Sequence, residues 1–100
     1  MRYRYRRFFE SKLLEIAASG PVLDVGGGER FQKELARHRE FFRGVDYKTL
    51  DVEPRYNPDI LGSIYEIPLP AASVGGIICK SVLEHLEEPE RGVREMHRVL

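Results

Sequence analysis

The chain has no tryptophan and a single cysteine, Cys79, so no disulfide can close within it and no cysteine-rich metal site can be built. It also lacks a long apolar run. Nothing approaches the ~20 residues of a membrane span, and the arginine-crowded start does not read as the apolar stretch of a secretory signal. Net charge is missing too: sixteen basic and sixteen acidic residues cancel, so bulk charge selects no partner. There is no internal repeat, no low-complexity tract, no His/Asp/Glu grouping at metal-ligand spacing and no Ser-His-Asp arrangement. With 42% hydrophobic and 10% aromatic residues, the 100 residues read as one small globular domain over 1–100, and a reducing cytoplasm is the expected setting.

What the chain does have is Pro21-Val22-Leu23-Asp24-Val25-Gly26-Gly27-Gly28, the stretch that organises the rest. Val22, Leu23 and Val25 predict a short buried strand, which Pro21 can open because its missing N–H falls outside the ladder. Asp24 interrupts that run, and a carboxylate in a buried strand is costly unless partnered. The glycines permit positive φ and let a ligand approach the backbone. Glu29 to Arg43 then reads as a helix, with Phe31, Leu35 and Phe42 on its inner face, His38 on the exposed side and Gly44 as its stop. Strand, acid, glycine turn and helix predict the first βα unit of a nucleotide-binding α/β sheet. Charge selects the nucleotide. A dinucleotide pattern would need a third glycine where Phe31 stands, and Asp24 and Glu29 would bracket its phosphates with negative charge. An ammonium-bearing cofactor without phosphate suits those acids.

These residues resemble the first motif of the class I S-adenosylmethionine-dependent methyltransferases. The resemblance extends over residues 10–100 through Gly62-Ser63-Ile64-Tyr65-Glu66-Ile67-Pro68, Val82-Leu83-Glu84-His85-Leu86 and Arg98-Val99-Leu100, and is greatest to members acting on small molecules. It implies S-adenosylmethionine as cofactor, with Asp24, Gly26 and Gly28 at the methionine end and Ser63 with Ile64 at the adenine. Many members carry an acid where Ser63 stands; its hydroxyl can still accept one hydrogen bond, and backbone groups at Ile64 can serve the ring edge. Asp51 follows the glycines at close to the ~20-residue spacing of an acid that binds ribose hydroxyls, and a carboxylate can accept from two vicinal hydroxyls at once.

Along the rest of the chain, Arg2, Arg4, Arg6 and Arg7 alternate with Tyr3 and Tyr5 before a helical spacing of Phe9, Leu13 and Ile16, with Leu14 and Ala17, that stops at Gly20. The basic-aromatic start reads as a solvated helix start whose aromatics pack on the sheet or over the cofactor; with no second basic cluster, a nucleic-acid partner is not expected. Further strands are predicted at Asp46 to Val52, Asp59 to Leu61 and Val74 to Cys79, and a last helix from Pro89 with Val93, Met96 and Val99 on one face. The expected fold is a Rossmann-like, mostly parallel sheet in the order 3-2-1-4 with helices on both faces.

Catalytic residues are less legible than the cofactor site. Lys80 and Ser81 are candidates from their place at the end of strand four. His85 is a weaker one, since a histidine in an apolar helix start is more often structural. Cys79 reads as packing. The family domain continues past Arg98-Val99-Leu100 with further strands, so the sheet is expected to be incomplete at the C-terminus. Strand four would then be an open edge, with Ile77 and Ile78 facing solvent on its flank, which predicts self-association or a partner segment there. Three functions follow: a methyltransferase for a small-molecule acceptor, a non-catalytic cofactor-binding or assembly module, and, disfavoured by Phe31 and Glu29, an NAD-binding domain.

Overall fold

Four short strands carry the fold in a computed structural model that describes residues 2–100. β1 (Val22–Val25), β2 (Tyr47–Asp51), β3 (Ile60–Leu61) and β4 (Gly76–Ile78) form one sheet in the expected order 3-2-1-4, with every pair parallel. Val22 lies opposite Tyr47 on one side and Gly76 on the other, and Asp24 opposite Thr49 and Ile78. β1 is central because all four of its residues are buried, as a strand covered on both faces must be.

Alternation along the strands sorts side chains to two layers. Leu23, Val25, Leu50 and Ile77 point to one face, where Ile64, Ile67, Met96 and Val99 pack against them, the last two from helix α2 (Pro89–Val99). Val22, Tyr47 and Ile78 point to the other, beneath Leu13 of helix α1 (Arg2–Ala17) and Leu35 and Phe42 of a 3-10 helix, Lys33–Phe42. Helices thus cover both faces. Leu23 and Leu50 are each about 1% exposed, and burying such a side chain is worth roughly 1.5–3 kcal/mol.

Several local expectations change. The stretch Glu29 to Arg43 is not one helix: the chain keeps turning through Phe31 and Lys33, both at positive φ (53° and 54°), which α-helix geometry excludes, and only then winds into the 3-10 helix. The Phe31 ring stacks on Tyr47 with centroids 4.6 Å apart, which holds the loop down on the sheet. His38 is buried rather than on the surface. Phe9 and Phe41 pack around its ring, Nδ1 lies 3.0 Å from the Glu34 carbonyl and Nε2 lies 3.2 Å from Glu10 Oε1.

α1 begins at Arg2, so the basic-aromatic start is itself helical; Leu13 is its buried residue, whereas Leu14 is exposed. In α2, Met96 and Val99 are buried as expected but Val93 is exposed. Gly92 takes the inner position, where Leu86 and Ile64 approach closely. Among the described residues β4 pairs only with β1. Its side chains nevertheless do not face solvent on a flank: Ile78 is buried on the α1 face and Ile77 half-buried on the α2 face, because strand side chains point to faces and not along the edge. What the edge leaves open is backbone.

Candidate functional site

The parallel arrangement brings the carboxyl ends of β1, β2 and β4 to one rim, where ligands of open α/β sheets bind. β1 gives way to the glycine loop as the Gly26 N–H donates to the Leu50 carbonyl (2.8 Å). Gly26 and Gly28 both take positive φ (68° and 80°), so the loop needs glycine at these two positions. A Cβ on Gly26 would lie 3.1 Å from both γ carbons of Val82, and one on Gly28 would lie 2.7 Å from Gln32 Oε1. Val82 and Gln32 are therefore the walls of the loop.

Asp51 closes onto this loop. Its Oδ2 accepts from the Gly28 N–H (3.2 Å) and its Oδ1 from the Glu53 N–H (3.0 Å), which fixes the carboxylate while each oxygen keeps a second lone pair. Asp24 points to the same face of the sheet but is more deeply buried, at 3% exposure, and accepts from the Tyr47 hydroxyl. Burial pushes the Asp24 carboxyl above its ordinary value. The Tyr47 hydrogen bond and Arg30 pull it back, and the neighbouring Asp51 charge pushes it up again. Burial, reinforced by Asp24, pushes the Tyr47 phenol far up, so its hydroxyl stays a donor.

Arg30, the one cation in the turn just after the glycines, is exposed but already engaged by other residues of the chain. Its Nη1 donates to the Tyr47 carbonyl (3.2 Å), its Nη2 pairs with Asp59, and Asp59 in turn accepts from the Thr49 N–H (2.9 Å). The rim thus offers carboxylates, glycine backbone and no free cation in the loop. Those acceptors suit a ligand that donates from vicinal hydroxyls and an ammonium, and their charge opposes a pyrophosphate.

Ser63 and Ile64 lie next to Asp51 through Gly62, whose N–H donates to the Asp51 carbonyl (3.0 Å). Ser63 Oγ accepts from the Tyr65 N–H (3.0 Å), and the Ile64 side chain is buried in the α2-side core. The segment that follows is strapped to α2. Glu95 Oε2 accepts from the Ile67 N–H (2.7 Å), and Arg98 donates to the Ile67 and Leu69 carbonyls (2.9 and 3.0 Å) while clasping both Glu95 oxygens. The Arg98 hydrogen bonds hold the Glu95 carboxyl at about 2, below the usual carboxylate range.

Past β4, Lys80 Nζ donates to Glu34 Oε1 (3.1 Å), and Glu34 Oε2 also accepts from the Tyr5 hydroxyl (3.2 Å). The Lys80 bond, first, holds the Glu34 carboxyl below its ordinary value. Ser81 is exposed at positive φ (58°), and the next residue is the loop wall Val82. His85 is exposed at the end of a short 3-10 helix, Leu83–His85, and its ring has no hydrogen-bond partner among the described residues. Cys79 is half-buried, and burial followed by the Asp24 charge pushes its thiol up to about 11, which leaves it protonated at neutral pH.

The structure therefore brings Asp24, Gly26, Gly28 and Asp51 together, sets Ser63 and Ile64 beside them, places Lys80 and Ser81 on the adjoining rim, and puts His85 at the end of the short 3-10 helix that follows the loop wall Val82. Sequence reasoning missed Tyr47, Arg30, Glu34 and Val82. Tyr47 had a signal: it shares the period-two face of Thr49 and Asp51. Val82 stood in the family-like stretch Val82 to Leu86 without a role being assigned to it, and Arg30 and Glu34 had no signal, since their contacts are between segments far apart in the chain.

Among the described residues no helix is long and apolar enough to cross a membrane, and no group of His, Cys, Asp or Glu is placed to hold a metal ion. Residues 23–100 match a family model described as a methyltransferase domain. No curated protein and no solved structure matches the chain.

Proposed function

The chain belongs to the class I S-adenosylmethionine-dependent methyltransferases, and on that premise we propose that it holds S-adenosylmethionine at the ends of β1 and β2 for methyl transfer to a small-molecule acceptor. The observation that carries this reading is the Gly28–Asp51 hydrogen bond, which puts a fixed carboxylate directly against a glycine loop. Asp51 accepts from the ribose hydroxyls. The backbone of Gly26 and Gly28, with the negative charge of Asp24 behind it, takes the methionine end. The Ser63 hydroxyl and the Ile64 backbone serve the adenine. When bound, the cofactor supplies an electrophilic methyl group on a leaving group that departs neutral. The protein then has mainly to align an acceptor, and no buried acid–base pair is required. Lys80 and Ser81 stand on the acceptor side of the rim, where Lys80 is oriented by Glu34. A lone cysteine, which can close no disulfide within the chain, accords with a reducing, cytoplasmic setting.

A second reading, a non-catalytic cofactor-binding or assembly module, draws support from the backbone edge of β4 that nothing pairs among the described residues. Calorimetric titration separates these readings from the dinucleotide one. S-adenosylmethionine is expected to bind and NAD to show no heat; binding of NAD alone, or of neither, overturns the proposal. Transfer of labelled methyl groups to a panel of small acceptors then separates enzyme from module.

A further inference from the structure

Between the first half of α1 and the start of the 3-10 helix lies an open groove of about 800 Å³. Its walls carry four cations, Arg2, Arg6, Lys33 and Arg37, and none of them pairs with a carboxylate among the described residues. The only carboxylate lining it, Glu34, is already engaged by Lys80 and Tyr5. Unneutralised cations converging on one concavity repel one another, and an anion that enters gains charge-assisted hydrogen bonds to guanidinium groups. The groove also offers rings. Tyr5 and Phe9 stack with centroids 5.9 Å apart, and Tyr3 and Tyr5 are largely exposed. Faces of this kind suit a flat apolar body next to the charge.

The groove adjoins the reaction rim. Lys33 and Glu34 begin the 3-10 helix that the glycine loop leads into, and Glu34 reaches Lys80 just past β4. We propose that this groove is the acceptor subsite and that it takes a small molecule with a flat apolar body and a carboxylate or phosphate group. The binding claim rests on the groove alone; its role as acceptor subsite rests on the cofactor reading above. A nucleic-acid strand is the weaker fit, because the four groove cations gather in one concavity between two helices, with only Arg4 and Arg7 of α1 exposed beside it.

The test uses phenyl phosphate and benzoate as anionic probes, with benzyl alcohol and benzylamine as neutral and cationic counterparts, followed by tyrosine fluorescence and calorimetry. At least one anion is expected to bind, with an affinity that falls with salt, and which of the two binds better separates phosphate from carboxylate. The double variant Arg6→Gln/Arg37→Gln is expected to weaken binding about tenfold or more. Lys12→Gln, on α1 but outside the groove and paired with Glu15, should leave it unchanged. All three positions are exposed, and circular dichroism checks folding. The proposal is overturned if neither anion binds, if benzylamine binds equally, if the double variant is unaffected, or if a single-stranded oligonucleotide binds far more tightly with affinity rising with its length. S-adenosylmethionine is titrated separately. Anion binding without cofactor binding refutes the cofactor reading and the acceptor role together while leaving the anion groove in place.

Discussion

Asp51 and Gly28 are joined by a backbone-to-carboxylate hydrogen bond of 3.2 Å across 23 residues of chain. The bond makes the acid at the end of β2 part of the glycine loop after β1. Asp51 is buried, so a carboxylate left without partners there would be desolvated and unsatisfied. Tied to the loop, and to the Glu53 N–H on its other oxygen, it is oriented before any ligand arrives, which lowers the ordering cost of binding.

The two positive-φ glycines are expected to differ in what they tolerate. Alanine at Gly26 meets both branches of Val82 at 3.1 Å, whereas alanine at Gly28 meets the end of a flexible Gln32 side chain that can swing aside. Both carry the strain of a left-handed residue, roughly 1–2 kcal/mol. Gly26→Ala should therefore lower Tm more than Gly28→Ala, and Gly26→Val should abolish cofactor binding where Gly28→Ala only weakens it. Thermal melts and titrations of the three variants decide this; equal, modest losses would mean the loop walls do not constrain the site.

The Glu95–Arg98 clasp that straps Ile67 to Leu69 predicts a pH dependence with a definite sign. The Glu95 carboxyl titrates near 2 in the folded chain, below the 4.5 of a free glutamate. A depressed carboxylate contributes stability that is present above the unfolded value and is lost as pH falls toward the folded one. Glu95→Gln should thus have a lower Tm than the parent chain at neutral pH, and the gap should narrow as pH drops from 4.5 toward 2. A gap that is constant across that range would show that the clasp acts without charge.

The open edge of β4 predicts concentration-dependent association, because pairing would satisfy backbone groups that otherwise face only water. Ile77 points to the α2 face, so a lysine there would probe core packing more than the edge, and dilution is the cleaner variable. Sedimentation across a range of micromolar concentrations should show a species heavier than 11.6 kDa that dissociates on dilution. A monomer at every concentration would contradict the expectation.

The sheet was legible because its signals are local. Pro21 to Gly28 carries strand, acid and turn in eight adjacent residues, and the order 3-2-1-4 follows from where such a unit sits in an open α/β sheet. Misreadings came where distant segments decide. Phe31 fits a helix face by spacing, yet its stacking on Tyr47 keeps Phe31 to Lys33 out of helical geometry. His38 sits between two arginines in sequence and looks solvated, but Phe9 from α1 and Phe41 from its own helix enclose it. The alternating arginines and tyrosines after Met1 read only as the entry to a helix spaced from Phe9, because the first two turns of α1 are exposed and carry no apolar stripe. Of the candidate site, the approach of Asp24, the glycines and Asp51 to one another could be read from type and spacing. The groove above α1 could not, since it is made by packing one segment on another.

The central claim is that Asp51, set against the glycine loop, holds the ribose of S-adenosylmethionine. Calorimetric titration of Asp51→Ala and Asp51→Asn, each with its fold verified by melting, tests it most directly. Loss of hydrogen bonds to a charged group predicts that alanine weakens binding by about 1.5–3 kcal/mol, roughly tenfold to a hundredfold in Kd, with asparagine losing less because one acceptor oxygen remains. A folded Asp51→Ala chain that binds S-adenosylmethionine as tightly as its parent would contradict the account.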